Sequence, residues 1–241
     1  MLRTVFATRY VTPLREGGSL PAIVEADDLG LYVLKFRGAG QGVRALVAEV
    51  IAGEIGRELG LRVPELVLVE VDAALGRNEP DFEIRELLKG SVGLNLALDY
   101  LPGSIMFDPA AKDPVDADLA SCAVWFDAFV TNVDRTPRNP NLLYWHKTLY
   151  FHHNWQDVEQ AARSPFAAIR DHVLLPWASR IREADALLRP RLGEAVFERV
   201  LSLVPEEWLP ETRSAYVTWL LQRLEAAPLF VEEAVRARAQ L

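Results

Sequence analysis

The chain has 241 residues, of which 50% are hydrophobic and 25% are charged. Such a chain can bury a sizeable core without disulfides or a structural metal, so we expect one large domain or two smaller lobes. The 26 Lys and Arg residues and 34 Asp and Glu residues give a net charge of −8, which argues against a nucleic-acid backbone as the main partner.

Cysteine usage and hydropathy bear on the compartment. Cys122 is the only cysteine, which excludes an internal disulfide framework and a cysteine-based zinc ribbon and suits a reducing compartment. The first 14 residues lack the apolar core of a signal peptide, and no uninterrupted run of roughly eighteen apolar residues occurs. We therefore expect a cytoplasmic protein without membrane contact.

The first third of the chain predicts strands around one helix. Residues 22–26 and 31–36 are β-rich runs separated by a turn, which predicts a hairpin with Lys35 on its second strand. Residues 44–59 carry apolar side chains at helical spacing and end before Gly60. Residues 64–71 are branched and alternate in their second half, as in a strand. These elements predict a sheet with one packed helix.

The pattern becomes helical further along the chain. Residues 72–95 are turn-prone with room for one short helix, and 95–101 predict a strand. The Pro-Gly pair that follows predicts a boundary between an N-terminal lobe, 1–101, and a C-terminal lobe, 102–241. In the second lobe we expect a helix at 117–130, a polar loop, a hairpin at 142–151 and then amphipathic helices.

The polar loop at 132–141 carries the first candidate site. Asp134 and Asn139 are five residues apart between a predicted helix and a predicted hairpin. Phosphoryl transfer needs a carboxylate that orients the attacking hydroxyl and an oxygen ligand for Mg²⁺, and kinases hold both at this spacing. The alternative is a solvated loop in which both side chains stabilise turns.

The second candidate combines a glycine turn with a lysine. Gly17 and Gly18 would let backbone amides approach phosphates, and Lys35 could reach the same oxygens as a point charge. The alternatives are an ordinary turn and an exposed lysine on an edge strand.

The third candidate is Glu49, inside the predicted helix. Its neighbours lie on the apolar side, so Glu49 could face the sheet and pair with Lys35. Glu54 competes for that role, and a solvated helix glutamate is the alternative for either residue.

Three phrases of the sequence resemble one family when combined. They are YVTPLREGGSLP at 10–21, LKFRGAGQG at 34–42 and DAFVTNVDR at 127–135. On these the chain is similar to the HipA-like kinases, in their compact bacterial branch, over nearly its whole length. The resemblance implies an α+β, two-lobed protein-kinase-like fold with nucleotide between a small β-rich lobe carrying one helix and a larger helical lobe.

The resemblance also implies site residues, with ATP and Mg²⁺ as cofactors. Asp134 matches the catalytic aspartate and Asn139 a magnesium ligand, while Asp99 and Tyr100 fall where the adenine-binding hinge belongs. The remaining implied nucleotide contacts are the phosphate-side loop Gly17, Gly18 and Ser19, the phosphate lysine Lys35, and its partner Glu49.

One family feature is missing after the hairpin. Related kinases place there an aspartate followed closely by glycine, the second magnesium ligand. Here the chain continues directly into Phe151-His152-His153-Asn154-Trp155, and the next acidic residue is Asp157. The two adjacent histidines would point to opposite faces of a strand and cannot both hold one metal ion. Loss of that carboxylate predicts impaired transfer even where nucleotide binds.

These patterns support three functions in turn. The first is ATP-dependent phosphoryl transfer to a serine or threonine hydroxyl of an unidentified protein substrate. The alternative is an inactive nucleotide-binding or partner-binding module with a kinase fold. A third is a helical interaction protein that binds no nucleotide.

Overall fold

The N-terminal region is a closed β-barrel. The computed structural model describes residues 1–14, 20–40, 42–77, 79–111, 114–151 and 162–241. Five strands close the barrel in the order β1-β2-β3-β5-β4. Their bounds are β1 Thr4–Pro13, β2 Ala22–Ala26, β3 Leu31–Lys35, β4 Leu66–Val71 and β5 Gly93–Asp99. The β1–β4 pairing is parallel and the others are antiparallel.

Alternation along each strand separates two apolar layers. On β4, Val67 and Val69 point into the barrel, where they join Leu34 of β3. Leu66 and Leu68 point outward and pack with helix α1, Val43–Glu58. Because side chains alternate across a strand, β4 supplies both the barrel core and the surface on which α1 lies.

A glycine brings α1 close to the barrel. A Cβ atom at Gly53 would lie 2.7 Å from Leu66 Cδ1, closer than side-chain atoms approach one another. A larger residue there would require the Leu66 side chain to move, so glycine lets the helix pack closely on β4. This close packing sets the height of α1 above the sheet.

The C-terminal part is mostly helical and carries a small second sheet. A short strand β6, Ile105–Met106, pairs with β7 of a β7–β8 hairpin. The hairpin strands are β7 Leu142–Trp145 and β8 Thr148–Phe151. The remaining helices are α2 Phe82–Gly90, α3 Ala117–Phe129, α4 Ile181–Leu188, α5 Glu194–Leu201, α6 Arg213–Glu225 and α7 Ala227–Arg238.

One core joins α1 to the helical part. Trp125, Phe126 and Phe129 of α3 are fully buried in the same apolar cluster as α1 and the outer face of β4. Phe197 of α5 and Phe230 of α7 complete it around α3. α3 is therefore the central helix, and the polar loop that follows it emerges from a rigid support.

The predicted fold class is confirmed: the chain is α+β, with a β-rich N-terminal region and a mostly helical remainder. The predicted hairpins, the helices at 44–59 and 117–130 and the strands at 64–71 and 95–101 are confirmed to within two residues. β1 and β6 were not predicted. Across the described part of the chain, no helix combines the length and the apolar character needed to cross a membrane.

Candidate active site

Lys35 and Glu49 form an ion pair between the barrel and α1. Lys35 ends β3, which lies between β2 and β5, so the edge-strand alternative is wrong. Its cross-strand partner is Leu96, whose side chain shares the face covered by α1. Glu49 Oε2 lies 2.5 Å from Lys35 Nζ, and the two side chains are 3% and 16% exposed. The ladder and the carboxylate together hold the ammonium in one place.

Glu54, the competing carboxylate, lies elsewhere. Its Oε1 is 3.7 Å from Arg57 Nε, one turn along α1. Burial raises the pKa of Glu54, and the nearby guanidinium of Arg57 opposes that shift. Between the two helix glutamates, Glu49 is therefore the one that meets Lys35.

The polar loop begins with a tight end to α3. Thr131 has φ 57°, in the left-handed region, and the Asn132 amide donates to Asp127 O at 2.8 Å. This bond across the helix end, with a left-handed residue just after the cap, is a Schellman motif. Glycine usually occupies that position, so the buried, β-branched Thr131 holds a conformation that costs roughly 1–2 kcal/mol. Local strain therefore lies at the base of the loop.

Asp134 lies half-buried on this loop. Its backbone amide donates to Asn132 Oδ1 at 3.1 Å. Burial raises the pKa of the Asp134 carboxyl, and the positive charge of Lys35 opposes that shift. Because this charge reaches Asp134, residues far apart in the sequence come within electrostatic range of each other.

Besides Asn132, the loop carries two further asparagine amides. Asn139 is exposed and closes a tight turn with Thr136, in which each residue's amide donates to the other's carbonyl at 3.1 Å. Asn141 is only 6% exposed, and its Nδ2 donates to Asp134 O at 3.4 Å. Asn141 was not predicted from the sequence, although it lies directly before the first hairpin strand. Two side chains, not one, thus carry a candidate metal-binding oxygen.

Buried polar groups lie beneath the loop. Asp127 of α3 contacts Asn132, Arg135 and His172, and each of these four side chains is at most 5% exposed. His172 was not predicted from the sequence as part of this cluster. It follows the short 3₁₀ helix Ala167–Asp171 and points inward at Asp127.

Arg223 of α6 contacts the end of α3, where the loop begins. The residue is fully buried and packs against the Phe230 ring, and its burial lowers the pKa of the guanidinium to about 10. Its guanidinium donates to four backbone carbonyls, those of Ala128, Phe129, Ala162 and Ser164. Two belong to the last turn of α3, where a cation complements the helix dipole. Arg223 thus ties the support of the loop to residues 162–164.

The predicted hinge lies at the end of β5. The Asp99 amide donates to Glu65 O at 2.8 Å and the Tyr100 amide donates to Leu31 O at 3.0 Å. Burial raises the pKa of the Asp99 carboxyl, and the nearby charge of Glu65 adds to the shift. The backbone amides of Asp99 and Tyr100 thus already have acceptors. The Leu101 amide has no acceptor among the residues that the structure describes.

Several predicted residues lie outside the described part of the chain. They are the phosphate-side loop Gly17, Gly18 and Ser19, and the residues His152, His153 and Asp157 after the hairpin. Across the described ranges, no cluster of three or more His, Cys, Asp or Glu residues could hold a metal ion. The loop offers Mg²⁺ an oxygen ligand of the type it prefers through an asparagine amide, Asn139 or Asn141.

Comparisons with known proteins agree on one class. The family model described as HipA-like kinase matches residues 8–227. A proinflammatory kinase of Helicobacter pylori, CtkA, shares the fold with a TM-score of 0.55 at 12% identity, over 98% of each chain. A Golgi casein kinase solved with Mn and ADP bound gives 0.50 at 8% identity, over 96% of this chain and 73% of the other. No curated protein matches the sequence.

Proposed function

The chain belongs to the HipA-like kinase family, and on this premise we propose that it transfers the γ-phosphoryl group of ATP to a serine or threonine hydroxyl of a protein. One observation carries the proposal. The Lys35–Glu49 ion pair lies within electrostatic reach of the half-buried Asp134 carboxylate. Binding a phosphate chain requires an ammonium held in place, and activating an acceptor hydroxyl requires a carboxylate near it.

Each residue has a distinct proposed role. Lys35 contacts phosphate oxygens as a point charge, and Glu49 holds its side chain in place. Asp134 orients the acceptor hydroxyl and takes its proton as the new phosphate ester forms. The nucleotide base lies against residues 99–101, where the Leu101 amide, which has no acceptor within the described ranges of the chain, donates to it. Mg²⁺, when bound, would neutralise charge on the phosphates, held through an asparagine amide of the loop.

Catalysis tests the role of Asp134. We expect Asp134→Asn to lower kcat about 10²–10⁴-fold, the usual contribution of a general base, with little change in nucleotide affinity. The melting temperature should rise slightly at pH 7, because the folded state desolvates the carboxylate that asparagine removes. Asp118→Asn, at an exposed position of α3, is the matched control. Full activity in Asp134→Asn would remove Asp134 from this role.

The metal-binding amide is tested by a pair of variants. We propose Asn139 for this role from its spacing after Asp134, and Asn141 competes because it is buried and bonded to the Asp134 carbonyl. Asn139→Ala and Asn141→Ala should differ in the Mg²⁺ concentration that supports half-maximal transfer. The variant that needs more Mg²⁺ identifies the ligand, and equal dependence in both variants and the wild type would exclude both.

A second candidate function is nucleotide binding without transfer. It is favoured by the sequence itself, which has no glycine between Gly103 and Gly193 and so no Asp-x-Gly metal motif after the hairpin. Calorimetric titration with ATP, with and without Mg²⁺, separates the candidates. Metal-independent binding without phosphate transfer supports the second candidate, transfer supports the first, and absence of binding contradicts both.

A further inference from the structure

The candidate catalytic loop rests on a carboxylate that has no part in the chemistry proposed above. Asp127 lies in the last turn of α3, and it is fully buried. A buried carboxylate is unfavourable unless it is paired and hydrogen-bonded, so its partners reveal what it holds. Those partners come from the first half of the loop and from a distant segment.

The first connection leads to Asp134. Asn132 Nδ2 donates to Asp127 Oδ1 at 3.0 Å, which fixes the Asn132 amide orientation. The opposite oxygen of that amide then accepts the Asp134 backbone N–H at 3.1 Å. The orientation of the Asp134 backbone is thus set, through one side chain, by Asp127.

The second connection leads to Asn141. The Arg135 guanidinium pairs with both oxygens of Asp127 and also donates to Asn141 O. Asn141 in turn donates to the Asp134 carbonyl. The beginning and the end of the loop are therefore tied to the same carboxylate, and Asp134 is held from both sides.

The third connection fixes a histidine proton. His172 Nδ1 accepts the Leu174 amide at 3.0 Å, so Nε2 carries the proton and faces Asp127 Oδ2 at 2.8 Å. The neighbouring Val173 amide donates to Arg135 O at 3.0 Å. A neutral histidine beside an aspartate–arginine pair leaves this buried cluster without net charge, which suits a permanent support.

We propose that Asp127 is a positioning residue for Asp134 and for the loop amide: it sets the geometry of the candidate catalytic loop without touching nucleotide or substrate. The inference rests on the proposed function for its kinetic consequence, whereas its structural consequence is independent of activity. Misplacement of a reacting group by about 1 Å costs on the order of 10²-fold in rate, so a positioning residue is visible in kcat.

Hydrogen–deuterium exchange tests the structural consequence on the full chain. Asp127→Ala should increase exchange across residues 131–141 while residues 66–71 of β4 keep wild-type protection. Asp127→Asn keeps the size and one acceptor oxygen but places an amide donor against donors, so it should give an intermediate increase. Asp118→Ala and Asp118→Asn, on the exposed side of the same helix, are the matched controls and should leave both segments unchanged.

Kinetics test the positioning role itself. Asp127→Asn should lower kcat about 10²-fold with less than about a threefold change in the Kd for ATP. Unchanged exchange in the loop would overturn the proposal, and so would equal loss of protection in both segments, because that result indicates general unfolding. If the wild-type chain transfers no phosphate, the proposed function fails while the exchange experiment still decides the role of Asp127. If Asp127→Ala does not fold, Asp127→Asn carries the test.

Discussion

The two sides of the candidate site are held in place by different means. Lys35 ends a regular strand that backbone ladders hold on both sides, and an ion pair with Glu49 fixes its ammonium. Asp134 lies on an irregular loop, which is fixed instead by buried charges, chiefly Asp127 and Arg135. The backbone hydrogen bonds of a sheet position a strand almost regardless of its side chains, whereas the conformation of an irregular loop depends on contacts made by particular side chains. Substitutions should therefore affect the two sides unequally.

The largest effect is expected beneath the loop. Arg135→Met leaves the Asp127 carboxylate buried beside His172 without its cation and removes the bond to Asn141 O. Removing one partner of a buried ion pair costs about 3–5 kcal/mol, so the free energy of unfolding should fall by that amount. Denaturant unfolding measures it, with the exposed Arg138→Met as control. A loss no larger than that of the control would contradict the comparison.

A smaller effect is expected on the barrel side. Glu49→Gln keeps an oxygen acceptor for the partly exposed Lys35, so the lost charge-assisted bond should lower the unfolding free energy by roughly 1–2 kcal/mol. If Lys35 contacts phosphate, nucleotide affinity should fall by about tenfold through its greater mobility. Glu54→Gln on the same helix is the control and should leave nucleotide affinity unchanged. Equal affinities in both variants would remove Glu49 from the site.

The electrostatic link between the two sides is tested by pH. As a base, Asp134 acts only when ionised, and burial raises its pKa, so kcat/KM should fall with acidity at a higher pH than for an ordinary aspartate. Lys35 opposes this shift, so in Lys35→Met the acidic limb should move further upward. Lys89→Met, on an exposed face of α2, should not move it. An unchanged limb in Lys35→Met would show that the two groups do not interact.

The smallest effect concerns strain at the base of the loop. Thr131→Gly relieves the left-handed conformation but loses buried contacts and raises the entropy of the unfolded chain. These terms oppose one another, so the unfolding free energy should change by less than about 1 kcal/mol. Thr148→Gly, on the ordinary strand β8, should destabilise the protein more. The reverse order would mean that Thr131 is not strained.

The sequence predicted what depends on local pattern. Hydrophobic spacing and turn residues predicted α1, α3 and both hairpins. The pairing of Lys35 with Glu49 was also predicted from the sequence, and the structure shows their ion pair. β1 was missed because its pairing with β4 joins strands distant in the sequence. The roles of Lys35, Glu49 and Asp134 in catalysis stay predictions.

The network beneath the loop could not be predicted from spacing. His172 and Arg223 contact the end of α3 from distant segments of the chain. The local sequence of those segments does not indicate that these two side chains are buried. Asn141 was overlooked because the spacing from Asp134 to Asn139 offered a nearer match. In each case the residue differs from ordinary polar residues by being buried. Burial of a single polar side chain depends on the tertiary structure, so the local sequence does not indicate it.

Arg223 also sets a limit on how far the chain can be shortened. It belongs to α6, yet its guanidinium donates hydrogen bonds to carbonyls at the end of α3, where the loop with Asp134 begins. A version ending before residue 213 would retain Lys35, Glu49 and Asp134 but would leave those carbonyls without their cation. In such a fragment, the loop that carries Asp134 should therefore be the first segment to lose its conformation. The C-terminal helices are thus needed to hold the candidate catalytic loop.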